Sequence, residues 1–344
     1  MARFRVAVFA ALLLSLAAGA TPAAGPATLV AAHRGGAGLW PENSLLAFRQ
    51  ALALGVDALE FDLHMTADGE IVVLHDPTLD RTSTGTGPVR DQTLAGLAGV
   101  RLKTRDGAVT NEPIPTFARL LDLASPASVE LLPEIKVDVN RQRYDGIEEK
   151  VLALLRARGL LARTTIQAFQ VETIRRLREL EPRARTMLLV ARGYVERVRA
   201  RPAEAVRRAH DLGATDLGMN HRLVDADVVA AARAAGIRVA AWTVNEEADI
   251  RRMVDLGVDM VMSDRPDLAK RLTGRCRPVA TSSPSIRARP ARPRSSSIST
   301  AACSRAGTPS SRSTIPSPAG SSTTLRRSGR RSSGRLGRRS PRPA

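Results

Sequence analysis

The sequence predicts an α/β fold closed into a (β/α)₈ TIM barrel, with an inserted excursion after the second strand. Three observations carry the prediction. Between Ala27 and Leu272, eight short strand-like runs recur with helical segments between most of them. Polar residues of chemical interest (His33, Glu60, Asp62, Glu134, Lys136, Gln167, Trp242 and Asn245) fall near the carboxyl ends of those runs, where barrels of this kind place their chemistry. No Gly-x-Gly-x-x-Gly follows the first strand, which counts against a doubly wound open sheet.

The first strand is Ala27 to Ala32, apolar enough to be buried, and it ends in His33-Arg34-Gly35-Gly36, where glycine permits a tight turn. Asn43 or Ser44 caps a helix whose apolar side includes Leu46, Phe48 and Leu52 and which Gly55 ends. The second strand lies in Leu59 to Asp76. Glu60, Asp62 and His64 share one face there, and Leu59, Phe61 and Leu63 the other. Asp68-Gly69 signals a hairpin into Ile71 to Leu74, which delivers His75 to the same neighbourhood. From Pro77 to Pro115 the chain is rich in Gly, Thr, Asp and Pro and reads as the excursion.

The remaining strands are Val129 to Lys136, Thr164 to Phe169, Thr186 to Ala191, Asp216 to Asn220, Arg238 to Val244 and Met260 to Ser263. Helices are expected at Arg141 to Gly159, Val171 to Leu180, around Ala203 to Leu212, Asp225 to Ala235, Glu246 to Leu256 and Asp267 to Leu272.

Composition sets the outer bounds. The formal net charge is +18, but the chain from Gly274 onward holds sixteen Arg and no Lys, Asp or Glu. That leaves +2, which Arg3 and Arg5 supply, so residues 33 to 273 are near neutral and no nucleic-acid partner is indicated. Arg3 and Arg5, the apolar run Val6 to Ala18 and the small residues Ala18-Gly19-Ala20 read as a secretory signal peptide over residues 1 to 24. The apolar run is short for a span, so after cleavage no stable membrane segment is expected and the product is secreted or periplasmic. The two cysteines, Cys276 and Cys303, lie in the tail, so the domain at 27 to 273 holds together without disulfides. Residues 274 to 344, dominated by Arg, Ser and Pro, lack the apolar residues a core needs. They read either as a disordered cationic tail or as the product of out-of-frame translation of GC-rich DNA, with the latter favoured.

Two neighbouring inward carboxylates, Glu60 and Asp62, are costly to bury without a compensating cation or donors, and hard oxygen ligands suit calcium or magnesium. On a solvated strand face the same pair carries no such meaning. His64 shares their parity but lies farther along, where a solvent-facing or hydrogen-bonding role is expected. His210 is expected to be structural, and His221, after Asn220, to line the mouth.

His33-Arg34-Gly35, Pro41-Glu42-Asn43-Ser44, Glu60-x-Asp62, Thr66-x-Asp68-Gly69, His75-Asp76, Arg81-x-x-x-Gly85-x-Gly87 and Pro133-Glu134-Ile135-Lys136 together resemble the glycerophosphodiester phosphodiesterase family. Trp242-Thr243-Val244-Asn245, Gly257-Val258-Asp259 and Ser263-Asp264-Arg265-Pro266 resemble its closing motifs. The resemblance spans about residues 29 to 272, and departures such as Ala67 and Ser263 remove no reactive group. It implies a barrel hydrolase that splits glycerophosphodiesters into glycerol 3-phosphate and an alcohol with a bound divalent cation, Ca²⁺ or Mg²⁺. Glu60, Asp62 and Glu134 would be the metal ligands, and His33 and His75 the acid/base pair. Phosphodiester cleavage needs one group to take a proton and another to give one, which two imidazoles can do, whether the attacking oxygen is water or the substrate's own hydroxyl. Arg34 and Lys136 can offset charge on the phosphoryl oxygens, and Gln167 and Trp242 can contact substrate. Competing expectations are a related barrel phospholipase C or D acting on intact phospholipids, and a noncatalytic surface-binding protein that uses the basic tail.

Overall fold

The structure, a computed structural model, describes residues 27–199 and 201–274. The expected signal peptide and the tail beyond Gly274 lie outside the described residues. The strands in chain order are β1 (Leu29–Ala32), β2 (Ala58–Met65), β3 (Ile71–Val73), β4 (Arg101–Lys103), β5 (Val109–Pro113), β6 (Glu130–Ile135), β7 (Thr165–Ala168), β8 (Arg185–Val190), β9 (Asp216–Asn220), β10 (Arg238–Trp242) and β11 (Met260–Ser263). The helices are α1 (Leu45–Leu54), α2 (Phe117–Ala124), α3 (Ile147–Ala157), α4 (Val171–Leu180), α5 (Arg192–Val198), α6 (Glu204–Asp211), α7 (Ala226–Ala234), α8 (Glu247–Leu256) and α9 (Pro266–Leu272).

Eight strands, β1, β2 and β6 to β11, are parallel and close on themselves because β1 pairs with both β11 and β2. This is the closed barrel that the alternation of strands and helices predicts. Its outward faces bury apolar side chains against the helices; Leu59, Phe61 and Leu63 of β2 belong to one such cluster with Phe48, Phe117 and Leu121. Inside the barrel sit Ala31, Ala58, Leu132, Met187, Leu189, Ala240, Met260 and Met262. Gly218 of β9 makes that interior possible, since a Cβ there would lie 2.5 Å from Leu189 Cδ2 and 2.8 Å from Met187 Sδ.

Register decides what the barrel mouth presents. Along the β2–β6 pair Asp62 stands beside Glu134, and along β6–β7 Glu134 stands beside Gln167. Residues in register on parallel strands point the same way, so three polar side chains form one layer, with Glu60 one inward position earlier on β2.

The expected excursion leaves the barrel after β2. β3 pairs antiparallel with β2, β4 and β5 form a separate hairpin, and Val72, Leu74, Leu79, Val89, Leu97, Leu102 and Ile114 bury one another as a small core. Chain returns through α2, a helix absent from the sequence reading although Thr116 caps it by accepting from the Arg119 amide and Phe117, Leu120, Leu121 and Ala124 fall on one buried face. The helix expected from Arg141 starts later, at Ile147, because Val137 bridges Arg143 and Gly146 adopts a left-handed conformation. α5 is a further helix between β8 and α6 not read from the sequence. Among the described residues no helix is long and apolar enough to cross a membrane.

The spare histidines resolve individually. His64 is fully buried where β2 has left β6 for β3; its Nδ1 is 2.9 Å from Tyr144 Oη and its Nε2 3.1 Å from the His75 carbonyl, a hydrogen-bonding role. His221 does not line the mouth: it is buried, 3.4 Å from Asp249, and its carbonyl accepts from Arg252, both on α8. His210 is exposed on α6 beside Asp211.

Burial pushes the His64 imidazole down to about 4, against an ordinary 6.5. Between those values the unfolded chain binds a proton that the folded chain refuses, so stability is full above 6.5 and falls as pH drops toward 4. Urea unfolding should therefore show the wild type losing about 2 kcal/mol more than His64→Gln on going from pH 7 to pH 5; parallel losses in the two proteins would contradict this.

Candidate active site

β1 runs into a single tight turn, His33–Gly35, in which Arg34 has φ 50° and Gly35 φ 80°. Glycine is required at 35, since a Cβ would come within 2.8 Å of Ala47 Cβ on α1. The turn points the Arg34 amide at Glu60, whose Oε2 accepts at 2.8 Å, and sets His33 Nε2 4.0 Å from the same oxygen. His33 Nδ1 lies 2.6 Å from Asp264 Oδ1, just beyond β11. Burial pushes the Asp264 carboxyl up, but the bonds from His33 and Asn245 outweigh it and hold the group below the usual carboxylate range. An ionised Asp264 only accepts, so Nδ1 carries the proton and Nε2 faces the cavity. Asn245 fixes Asp264 from behind, donating to Oδ2 at 2.8 Å and accepting from the Asp264 amide at 2.9 Å.

His75 repeats the arrangement, with Nδ1 2.6 Å from Asp76 Oδ1. Arg81, from the excursion, donates to both Asp76 oxygens at 2.7 and 2.9 Å and to both Glu42 oxygens at 3.0 and 2.8 Å. Glu42 in turn accepts from Arg34 at 3.2 Å. One ladder of ion pairs thus joins the loop that carries His33 to the loop that carries His75.

Beneath them, carboxylate oxygens of Glu60, Asp62 and Glu134 all lie within 4.8 Å of one another, and all three residues are buried. Gln167 Nε2 donates to Glu60 at 3.0 Å and Asn43 Nδ2 to Asp62 at 2.8 Å. Lys136 Nζ is 2.7 Å from Glu134 and 3.1 Å from Asp62, and Arg34 Nε is 3.4 Å from Asp62. Burial and the Asp62 charge push Glu60 up to about 7. Burial also acts on Asp62, but Lys136 and Arg34 overcome it and hold this carboxyl far below its usual range. Burial, with Asp62 beside it, raises Glu134 despite the Lys136 ion pair. His33 is raised: burial opposes its protonation, and Glu60 and Asp264 outweigh burial.

Three acids against two cations leave the cluster short of positive charge, and Asp62 Oδ1 is buried without a hydrogen bond. An all-oxygen donor set of this spacing fits a divalent cation.

His33, Arg34, Glu60, His75, Glu134, Lys136, Gln167 and Trp242 line one cavity of about 90 Å³ at the mouth, with Asp62 in register beside Glu134. All nine residues singled out from the sequence thus meet in one place. Asp264, Asp76, Arg81 and Glu42 carry no assigned role in the sequence although each lies in a recognised motif, and Phe169 is expected there only as the end of a strand. Phe169 stands edge-on to Trp242, centroids 5.6 Å apart at 89°. Of the two residues expected at the helix cap, Ser44 caps α1, and Asn43 supports Asp62 from a left-handed backbone (φ 58°).

A closed barrel whose strand ends hold a buried acid cluster, two carboxylate-backed imidazoles and two cations defines a hydrolase built for phosphate esters. The chain belongs to the glycerophosphoryl diester phosphodiesterase family, whose family model matches residues 33–268, and it is a phosphoric diester hydrolase of that kind. A glycerophosphodiester phosphodiesterase of Caldanaerobacter subterraneus subsp. tengcongensis is 31% identical over 244 residues, 70% of this chain and 95% of the relative. A Bacillus subtilis glycerophosphodiester phosphodiesterase is 32% identical over 255 residues, 70% of this chain and 84% of the relative. The solved structure of an Oleispira antarctica phosphodiesterase, in complex with the product sn-glycerol-3-phosphate, is similar with TM-score 0.60 and 25% identity, covering 72% of this chain and 97% of that one.

Asp264 reaches the cavity through its bond to His33. Replacing it by Asn should lower kcat by about a hundredfold and move the limb of the pH–rate profile that reports His33 to lower pH, because a charge that favours the imidazolium is gone; an unmoved limb would leave Asp264 with a structural part only.

Proposed function

We propose that Glu60, Asp62 and Glu134 hold one divalent cation, Ca²⁺ or Mg²⁺, beside an acid/base pair formed by His33 and His75. The substrates on this reading are glycerophosphodiesters, cleaved to glycerol 3-phosphate and an alcohol. The observation that carries it is the buried triad lying next to two imidazoles, each held through Nδ1 by its own carboxylate. The product bound to the Oleispira antarctica phosphodiesterase supports the same product here.

When bound, the cation supplies Lewis-acid charge to the phosphoryl oxygens. The chain's own residues do the rest. Arg34, with its fork beside Asp62, and Lys136 keep positive charge next to the phosphate, and the cost of arranging it is met before substrate arrives. One imidazole takes, at Nε2, the proton of the attacking oxygen, whether of water or of the substrate's own hydroxyl, while the other gives a proton to the departing alcohol oxygen. Asp264 and Asp76 keep each ring in the tautomer that allows this and favour the imidazolium as it forms. Trp242, whose buried Nε1 has no hydrogen-bond partner, and Gln167 close the small cavity over the glycerol half.

The unit that carries the activity is residues 27 to 273, and the N-terminal basic-apolar-small pattern supports export to the periplasm or medium.

Chelation should abolish hydrolysis of glycerophosphocholine, with recovery on adding calcium or magnesium, and should lower the melting temperature of the wild type but not of Glu134→Gln. Full rate in chelator would remove the cation. His33→Ala and His75→Ala should each lower kcat by about a hundredfold or more; a normal rate in either takes that residue out of the reaction. Expressed with its own N-terminus, the chain should be recovered outside the cytoplasm at a mass lacking about 24 residues, and an intact cytoplasmic product would refute export.

A further inference from the structure

A second, larger groove of about 420 Å³ opens beside the cavity just described. The two share His75, Glu134, Lys136 and Phe169, so a phosphate at the triad can reach into both. The smaller, closed by Trp242, Leu189 and Met262 from the barrel interior, suits a three-carbon polyol. The larger is bounded by the half-exposed Phe169 and Val139, by Pro77, and by the loop after β6.

The charges facing this groove are lopsided. Its two acids are both engaged: Glu134 with Lys136, and Asp138 with Arg90 of the excursion and with the amides of Asn140 and Gln142, each at 2.8 Å. Arg141 is exposed at the rim, and among the described residues its guanidinium has no hydrogen bond or ion pair. Its backbone sits at φ 60°, where glycine would be at ease, and Arg34 and Asn43 of the site are two of the three other non-glycine residues at positive φ. Phe169 is the one aromatic lining the groove, and its ring already meets Trp242. A quaternary ammonium is held by a cage of several aromatic faces or by a free carboxylate, whereas the groove offers this single ring and no unpaired acid.

We propose that this groove receives the departing alcohol and that Arg141 selects glycerophosphodiesters whose alcohol is anionic over those whose alcohol is a cation. The inference rests on the reaction proposed above. Asp138 sets the rim, since it closes the turn that carries Arg141 and ties it to the excursion through Arg90.

Three diesters that differ in the charge of the alcohol test it: glycerophosphocholine, glycerophosphoglycerol and glycerophosphoglycerol phosphate, compared at one pH and low salt. Wild-type kcat/KM should rise in that order by at least tenfold, chiefly through KM, and the spread should shrink at high salt. Arg141→Glu should erase or invert the order. Arg141→Gly, which relieves the left-handed backbone, should flatten it without lowering the melting temperature. A wild-type preference for glycerophosphocholine, or an order unchanged in both variants, would overturn the assignment while leaving the reaction intact. Failure to hydrolyse any of the three would overturn the reaction itself and this subsite with it.

Discussion

Three carboxyl groups are forced together by strand register, and the surroundings must answer for them. β2 and β6 pair so that Asp62 and Glu134 stand side by side, and the two-residue period of β2 adds Glu60 to the same face. None of the three can turn away, because the opposite faces of β2 and β6 are filled by Leu59, Phe61, Leu63, Leu131 and Ile135 in the layer against the helices. The result is a cluster in which burial, with the Asp62 charge added to it, lifts Glu60 to about 7 even with Lys136 and Arg34 close by. A site tuned only for stability would place apolar residues there. Retaining the acids makes chemical sense if a cation completes them.

The rest of the mouth follows from that demand. Arg34 and Lys136 each reach two members of the cluster and Asn43 and Gln167 one each, from the loop after β1, the end of β6 and β7. The excursion braces the arrangement in two places. Arg81 bridges Glu42 and Asp76, tying the β1 loop to His75, and Arg90 reaches Asp138 in the β6 loop. What looked in the sequence like a long irregular connection is thus a small packed unit with its own core, whose arginines hold two mouth loops in position.

How far the site was legible depends on the kind of contact. Period-two alternation around Glu60 and Asp62 is local, and it reads directly as one polar and one apolar face. The turn at His33-Arg34-Gly35 reads through its glycine. By contrast, the bond from His33 to Asp264 spans 231 positions, and nothing in the neighbourhood of either residue announces the other. Asn245 is legible as a strand-end polar residue and Asp264 only as part of a closing motif, and nothing local marks the two as partners. Helix α2 was legible in principle through the Thr116 cap and the spacing of Phe117, Leu120, Leu121 and Ala124, yet the Gly- and Pro-rich segment before it masked the pattern. Arg141 was read as helix because nothing in its side chain forbids one; the turn closed by Asp138 and the left-handed Gly146 decide otherwise.

The account stands or falls on a cation at the acid cluster. A crystal soaked in manganese, which takes the same oxygen ligands and scatters anomalously, examines that location directly. The account predicts a single strong anomalous peak within coordination distance of Glu60, Asp62 and Glu134, displaced on soaking in excess calcium or magnesium. A featureless map at those three carboxylates, in crystals of enzyme that still hydrolyses its substrate, would contradict it.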